Sequence, residues 1–471
     1  MSVFRPTDHA RVDAIARPRL HPRRWRCARR AYVPLILALA LAPHDRSDAQ
    51  VSGGVPSIVP DTIRLTLAEA RARAVSLNPE LAAARLDIDI ARGQLRQAGT
   101  LRFNPTTDLL ASGSSGSRPE IGVAQELEIA GQRGVRRDVA QAGVARATFS
   151  VSNILRITVA EVERGFYRAV VADRRVELNQ EVLALTERLA LVATRQLREG
   201  EISKLDYNLS VVERGRARAR AFAARREQQQ SVIELGRLIG LPASVPLRPV
   251  FDSTVHRHAV IDSSGVLRMD LSVFGTPGDS TIEQLIARAI ARRPDLAERS
   301  AAVAQAEAAV TLARREALPN LLARVLSQQN AVGSGSGLRP GLGLTIPLFN
   351  RNKGEIESRR AGARQLVLER LAMTARIRAD VGAALRAYQA AAGEIEVLEN
   401  TVLGPARENR RLLETAYREG KVGLAVLLLI RNQVIEAEQE YWTAWLAERE
   451  AAAELAAAVG SSTSADVARA Q

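Results

Sequence analysis

Two stretches of the chain alternate apolar and polar residues with a period of two, which predicts β-strands with one apolar face. In 338–348 every even position except Pro340 is leucine or isoleucine. The stretch 119–129 repeats the pattern and places four apolar residues on one face: Ile121, Val123, Leu127 and Ile129. Less regular apolar stretches precede them at 103–112 and 320–330, followed by Gly/Ser turns at 113–116 and 333–337. The sequence therefore predicts two β-hairpins.

Alanine-rich stretches almost free of proline follow both hairpins and predict long helices. No proline lies between Pro119 and Pro242, and a continuous helix over 135–197 would be about 95 Å long at ~1.5 Å per residue. Within it, a coiled-coil seam is predicted by apolar residues spaced four and three apart: Leu178, Val182, Leu185, Leu189 and Val192. Gly200 and Gly420 predict helix ends, and second helices are predicted over 204–238 and 424–459.

The order of these patterns occurs twice, which predicts a tandem repeat. The step Asn-Pro-Glu-Leu at 78–81 matches Arg-Pro-Asp-Leu at 293–296, and Arg-Glu-Gly recurs at 198–200 and 418–420. Pro79 and Pro294 should divide the first helical stretch of each copy, since proline suits the first position of a helix. The predicted organisation has five parts: an export signal (1–49), a first copy (50–240, strands about 103–129), a linker (241–279), a second copy (280–460, strands about 319–349) and a tail (461–471).

The first 49 residues have the pattern of an export signal. An arginine-rich region precedes the apolar stretch 31–42, and Ser47-Asp48-Ala49 forms a small-x-small cleavage site, so the mature chain should begin at Gln50. Cys27, the only cysteine, would leave with the signal, and no disulfide is expected. No later segment approaches the ~18 apolar residues of a spanning helix. These features predict a periplasmic protein, a secreted protein or an outer-membrane barrel.

Charge and candidate chemistry narrow the function. The formal net charge is +14, but the arginines alternate with glutamates along helical stretches, which indicates solvated helix faces rather than nucleic-acid binding. The sequence contains no metal-ligand cluster, no nucleophile with its base and no phosphate loop. His256 and His258 are the only histidines after the signal, and they fit a polar linker better than a metal site. We therefore expect no enzyme, no cofactor and no bound metal.

The strands and helices together predict a membrane tube. Four strands of about ten residues have the length needed to cross a bilayer at a tilt, and a membrane forbids open sheet edges. Bacterial barrels have roughly eight strands or more, so this chain would have to oligomerise, as a dimer with eight strands or a trimer with twelve. The helices would continue the barrel wall. Ordinary hairpins of a soluble protein are the alternative interpretation of the strands.

The chain resembles the TolC-like outer-membrane efflux proteins, the outer membrane factor family. Four segments carry the resemblance: QELEIAGQRGVRRDVAQAG (125–143), LREGEISKLD (197–206), IPLFNRNKGEIESRRAGA (346–363) and YREGKVGLAVLL (417–428). The resemblance implies a mainly α fold with a small β part, in which long antiparallel helices form a periplasmic α-barrel. It implies four strands per chain in a homotrimeric 12-stranded transmembrane β-barrel in the outer-membrane lipid. The ELEIAGQRG stretch is similar to the heavy-metal-efflux branch with CzcC-like members.

The resemblance also implies a function and its sites. Such a channel is a passive exit duct for substrates delivered by an inner-membrane pump, for example of the resistance-nodulation-division type, through a periplasmic adaptor. Adaptor contacts would lie at the helix tips: Gly200, Glu201, Ile202, Gly420, Lys421 and Val422. The periplasmic aperture would be lined by Asp206, Val426 and Leu429, so its acidic ring would be incomplete. Asp206 as a simple helix-start carboxylate is the alternative. For the whole chain, a periplasmic coiled-coil adaptor or scaffold protein is the alternative function, and a soluble coiled-coil structural protein is a third.

Overall fold

The residues that the computed structural model describes form nine α-helices, one π-helical segment and eight strands. These residues are 62–110, 120–251, 259–261, 267–269, 279–329 and 336–460. The predicted export signal, the turn at 113–116, most of the turn at 333–337, His256, His258 and the tail 461–471 lie outside the described residues.

In chain order the strands are β1 (Ile63–Leu65), β2 (Thr106–Leu110), β3 (Glu120–Leu127), β4 (Leu247–Pro249), β5 (Ala259–Ile261), β6 (Leu267–Met269), β7 (Leu321–Gln329) and β8 (Ser336–Leu344). The helices are α1 (Leu67–Leu77), α2 (Pro79–Ala98), α3 (Gln132–Glu199), α4 (Lys204–Leu238), α5 (Asp279–Arg292), α6 (Pro294–Glu316), α7 (Lys353–Val397), α8 (Gly404–Arg418) and α9 (Leu424–Val459). A π-helical segment, Leu398–Leu403, joins α7 to α8.

Each copy begins with two helices that meet at a proline, as the sequence predicts. Pro79 is the first residue of α2 and Pro294 the first residue of α6. The Asn78 side chain caps α2 by accepting hydrogen bonds from the backbone N–H groups of Glu80 (2.8 Å) and Leu81 (3.1 Å). Proline at this position costs nothing, because the N–H that it lacks would have no partner inside the helix.

The two hairpins lie side by side in one antiparallel sheet with the strand order β2-β3-β7-β8. The contact between the copies is the β3–β7 pair, in which Val123 lies opposite Val325. Strand β8 is shorter than the alternation predicts, because it ends at Leu344 rather than at Leu348. Leu344 pairs with the first residue of β7, Leu321, so β7 offers no partner further along, and Pro347 has no N–H to donate.

The return helices α4 and α9 have the predicted bounds, and the two outward arms differ. Helix α3 is continuous over 68 residues, about 100 Å at 1.5 Å per residue, whereas the second arm is interrupted by the π segment. Pro405 explains the interruption, since its ring cannot donate to the carbonyl one turn earlier and clashes with it. The predicted seam on α3 is wrong at one position: Val192 is 42% exposed and Ala193 is buried instead. A straight helix has 3.6 residues per turn, so a seam with a spacing of 3.5 drifts off its face.

Two apolar cores hold the helices together about midway along the outward arms α3 and α7–α8, where the ends of the return helices α4 and α9 pack against them. In the first core, the Phe166–Tyr167 and Tyr167–Trp445 ring pairs pack edge to face, with centroids 5.9 Å and 5.8 Å apart. The linker joins this core, because β4 pairs in parallel with β1 and buries Leu247 against Leu65. The second core packs α5, α7 and α9 together.

None of the helices in the described residues combines the length with the apolar composition that crossing a membrane demands.

Candidate functional site

One face of the four-stranded sheet is apolar and open to its surroundings. Register places the odd positions of β2, β3 and β7 and the even positions of β8 on this face. Leu127 and Leu321 on this face are half-buried. Seven other large apolar side chains on it are between 44% and 79% exposed: Leu109, Ile121, Val123, Val325, Leu338, Leu342 and Leu344. A soluble protein rarely exposes so continuous an apolar surface, which therefore indicates an apolar environment or a partner.

The opposite face of the sheet carries glycines and charges. Gly122, Gly341 and Gly343 lie on this face, and charged residues accompany them, among them Asp108, Glu126, Arg324 and Arg339. An added Cβ atom at 122 would lie 2.5 Å from the Leu326 Cδ2 atom, so the end of that side chain would have to move. Leu322 and Leu326 also lie on this second face. In the described strands of the sheet, the charged residues are confined to it, whereas the first face has none, an asymmetry that resembles a strand wall between lipid and water.

The two outer edges of the sheet have no neighbour among the described strands. Strand β2 pairs only with β3, and β8 pairs only with β7. Each edge strand therefore presents a row of backbone N–H and C=O groups that can pair with another strand.

At the other end of the long helices, both predicted turns are sharp glycine ends. Gly200 (φ 75°) and Gly420 (φ 71°) adopt the left-handed conformation and close α3 and α8. The Gly200 N–H donates to the Leu197 carbonyl and the Glu201 N–H to the Gln196 carbonyl, which satisfies the last carbonyls of the helix. Glu201 is exposed, whereas Ile202 is half-buried.

A small apolar cluster ties the two hairpin tips together. Leu189, Leu413 and Leu427 are its buried centre, and five partly buried side chains pack around them: Leu185, Leu209, Tyr417, Val422 and Ile430. Of the six predicted tip residues only Val422 belongs to this cluster. Lys421 is exposed and pairs with Glu419 at 2.7 Å. We call Leu189, Leu413 and Leu427 with these five side chains the tip cluster.

The three predicted aperture residues differ in their surroundings. Ser203 Oγ donates to the Asp206 carboxylate (2.7 Å), and the Asp206 N–H donates back to Ser203 Oγ (3.1 Å). Asp206 therefore stabilises the first turn of α4, and its side chain is half-buried there. Val426 is 44% and Leu429 62% exposed. Within the described residues no hydrogen bond or ion pair links Asp206 to the second tip.

Sequence reasoning missed a buried ionic cluster in the second copy. The Arg293 guanidinium contacts Asp295 (2.6 Å) and Asp380 (3.2 Å), while Arg156 of α3 lies 3.7 Å from Asp295. Arg156 also donates to the Ala457 carbonyl at 2.8 Å, near the end of α9. Burial opposes ionisation of Asp295, but hydrogen bonds and charge from Arg293 outweigh it and lower its pKa. The sequence signal for this cluster is the step Arg-Pro-Asp-Leu at 293–296, which places opposite charges two residues apart at the start of α6.

A second missed group lies beside the π segment. Glu448 of α9 is 4% exposed, and its Oε2 atom pairs with the buried Arg449 guanidinium (3.1 Å to Nε) without accepting a well-aligned hydrogen bond from it. Burial raises the pKa of Glu448; Arg449 opposes this shift and Glu399 of the π segment adds to it. The Tyr441 hydroxyl donates to Glu399 at 3.1 Å, so α9 contacts the π segment through polar side chains.

Comparisons with known proteins agree with this architecture. Residues 285–461 match the family described as outer membrane efflux protein. The chain is 23% identical over 423 residues to the cobalt-zinc-cadmium resistance protein CzcC of Cupriavidus metallidurans, covering 88% of this chain and 95% of that protein.

Solved structures have the same fold. The CmeC outer membrane channel of Campylobacter jejuni has a TM-score of 0.67 at 12% identity and covers 86% of this chain and 89% of its own. The MtrE outer membrane channel of Neisseria gonorrhoeae, solved in an open state, has a TM-score of 0.64 at 20% identity and covers 84% of this chain and 88% of its own.

Proposed function

We propose that this chain is a TolC-like outer membrane efflux protein and forms the outer-membrane channel of a tripartite efflux system. The family match over 285–461 and the similarity to CzcC support this proposal. The matched proteins are efflux channels and not enzymes. Three copies, each divided into 50–240, 241–279 and 280–460, form the channel. The duct receives substrate from an inner-membrane pump through a periplasmic adaptor.

One observation carries the proposal: a sheet with an exposed apolar face and two unpaired edges is joined directly to α3 and, through a short segment, to α7. Pairing β2 of one copy with β8 of the next removes every open edge, as the hydrocarbon of a membrane requires. Three copies of the four-stranded sheet supply twelve strands, within the range of bacterial barrels. The polar face with Asp108 and Arg339 then lines water, and the long helices extend into the periplasm.

The assembly is tested with two variants on adjacent sheet positions. Leu338→Arg places a charge on the apolar face and costs up to about 2–4 kcal/mol, depending on its depth in the bilayer. Arg339→Gln changes only the water-lined face. We expect wild type and Arg339→Gln to fractionate with the outer membrane as detergent-resistant trimers, and Leu338→Arg to lose the trimer. A soluble periplasmic wild-type chain would instead support the adaptor or scaffold alternative.

For the cargo we propose heavy-metal cations, because the CzcC relative carries cobalt, zinc and cadmium resistance in its name. Deletion of the gene should lower the growth-inhibiting concentration of these metals at least severalfold and leave dyes and antibiotics unaffected. Sensitisation to dyes and antibiotics alone would overturn the metal assignment and leave the channel assignment intact.

The helix tips are proposed as the gated periplasmic mouth, with Asp206, Val426 and Leu429 at the aperture. Gly200, Glu201, Ile202, Gly420, Lys421 and Val422 are the proposed adaptor contacts. Cysteines introduced at Glu201 and Lys421 and cross-linked in the assembled channel should block export, and reduction should restore it. A matched pair at the exposed residues Arg220 and Glu396, higher on the helices, controls for the chemistry. Unchanged export after complete tip cross-linking would contradict gating at the tips.

A further inference from the structure

Apolar side chains continue beyond the last paired row of the sheet, on the side where the helices begin. That row is Leu127–Leu321–Leu344. Two residues further along their chains, Ile129 is 55% and Ile346 is 62% exposed. Leu348 is 65% exposed and Phe349 is fully exposed. We call Ile129, Ile346, Leu348 and Phe349 the collar.

The height of the sheet indicates what environment the collar meets. From Leu338 to Leu344 the apolar positions of β8 extend over six residue steps, about 20 Å along the strand at ~3.4 Å per step. With a tilt of about 40°, this is about 16 Å across the bilayer, less than the ~25 Å apolar band of outer-membrane barrels. The collar adds apolar surface at the periplasmic end, where the band is short.

Exposed cations follow the collar in both copies. Arg133 lies four residues after Ile129, and Arg351 and Lys353 lie two and four residues after Phe349. All three are exposed. In the part of the chain that the structure describes, none of them lies within 4 Å of a carboxylate, whereas the nearby Arg136 pairs with Glu128 at 2.6 Å. Apolar side chains followed by unpaired cations are typical of a lipid–water interface, where cations meet anionic headgroups.

We propose that the collar and Arg133, Arg351 and Lys353 form a docking surface for the periplasmic leaflet of the outer membrane. The collar side chains enter the boundary of the acyl chains, and the three cations bind the phosphate groups of anionic phospholipids. This inference rests on the proposed membrane position of the sheet. The collar is continuous with the exposed apolar face of the sheet that contains Leu342 and Leu344. This continuity favours lipid over a second copy as the occupant.

The position of the collar is tested by single cysteines carrying a bimane fluorophore in a Cys27→Ala background. The cysteines replace Phe349 in the collar, Leu342 in the sheet and Phe222 on α4, which is 59% exposed. In proteoliposomes, we expect quenching by doxyl-labelled lipid at 342 and 349, and quenching by aqueous iodide only at 222. A probe at 349 that iodide quenches, or that neither reagent quenches because a second copy covers it, overturns the proposal.

The probe at 342 distinguishes a failure of the collar proposal from a failure of the proposed membrane position of the sheet. Lipid quenching at 342 without lipid quenching at 349 refutes the collar and leaves the channel proposal standing. The absence of lipid quenching at both positions refutes the membrane position of the sheet.

The cations are tested by the preference of the trimer for spin-labelled phosphatidylglycerol over phosphatidylcholine, measured by electron spin resonance. We expect a preference of about threefold or more in wild type, lost in the triple variant Arg133→Gln/Arg351→Gln/Lys353→Gln. The matched variant Arg218→Gln/Arg220→Gln/Arg225→Gln on α4 removes the same charge and should keep the preference. Equal preference in wild type and the first triple variant overturns the headgroup contacts.

Discussion

At the residue scale, one glycine at the tips and one glycine within a helix differ in backbone conformation, although both have room for a side chain. Gly420 (φ 71°) closes α8, whereas Gly393 lies within the regular part of α7. An added Cβ atom would meet nothing within 4 Å at either position. The two positions therefore isolate the effect of the left-handed conformation, which costs an L-residue about 1–2 kcal/mol.

Gly420→Ala should destabilise the second tip by about 1 kcal/mol, and Gly393→Ala should stabilise α7 by about 0.5–1 kcal/mol. Amide hydrogen exchange measures both locally: exchange should accelerate at the end of α8 in the first variant and slow around Gly393 in the second. Equal effects of the two substitutions would contradict the conformational explanation.

The buried ionic cluster gives a pH dependence at the same scale. The pKa of Asp295 in the folded protein lies below its ordinary value. The ionised carboxylate therefore contributes fully to the free energy of unfolding above the unfolded pKa of about 4. This contribution is lost as the pH falls through the folded pKa. Asp295→Asn should destabilise the protein at pH 7 by about 3 kcal/mol, because Arg293 and Arg156 lose a buried counter-charge.

Urea unfolding of the purified protein between pH 3 and pH 7 measures this effect. The difference between wild type and Asp295→Asn should narrow towards pH 3. Asp89→Asn, at an exposed carboxylate, serves as the control and should show no comparable difference. A constant difference at every pH would show that Asp295 acts through packing alone.

At the element scale, the second outward arm is two helices joined by a π segment, and its two parts pack in different places. Ile395 of α7 packs against the aromatic core around Trp445, whereas Leu413 of α8 packs in the tip cluster. Between them, Glu399 faces Tyr441 and Glu448 of α9. The π segment is therefore the boundary between an arm held by a large core and an arm held by a small one.

Glu448→Gln should stabilise the protein at neutral pH. The pKa of Glu448 is raised, so its contribution is most favourable below the unfolded pKa and is lost as the pH rises through the folded value. We expect a higher free energy of unfolding at pH 7 and no change near pH 4. Glu440→Gln, at an exposed carboxylate of the same helix, is the control. A loss of stability at pH 7 would contradict the effect of burial.

The sequence predicts elements well where local chemistry ends them. The bounds of α4 follow from Ser203, which caps its start by accepting from the Asp206 N–H, and the end of α3 follows from Gly200. It predicts β8 less well, because the alternation continues to Leu348 and only the neighbouring strand decides where pairing ends. It misses Glu448 and the cluster at Arg293, because charges on a helix look solvent-exposed until distant elements cover them.

At the scale of the whole molecule, the proposed aperture residues would decide which ions pass. Asp206 is engaged at the start of α4, and Val426 and Leu429 are apolar. We therefore expect a mouth that is less acidic than a ring with a carboxylate at each of these positions.

Leu429→Asp should increase the cation preference of the channel several-fold, because each copy of the proposed trimer would add a carboxylate at the proposed aperture. Leu412→Asp, at a residue of similar exposure on α8, should change it little. Reversal potentials across planar bilayers in asymmetric salt measure both. An unchanged reversal potential in the Leu429 variant would place the constriction elsewhere.

The π segment belongs to only one of the two helical hairpins in each chain. A ring of three chains contains six hairpins of the same general design, yet only alternate ones have this weak joint. Bending of the helical hairpins in the proposed trimer would therefore follow threefold rather than sixfold symmetry. Three hairpins with continuous helices would stay rigid, and the three between them, which contain the π segment, would bend. Duplication within a single chain makes such a division of labour possible, because identical hairpins from separate chains would all have to move alike.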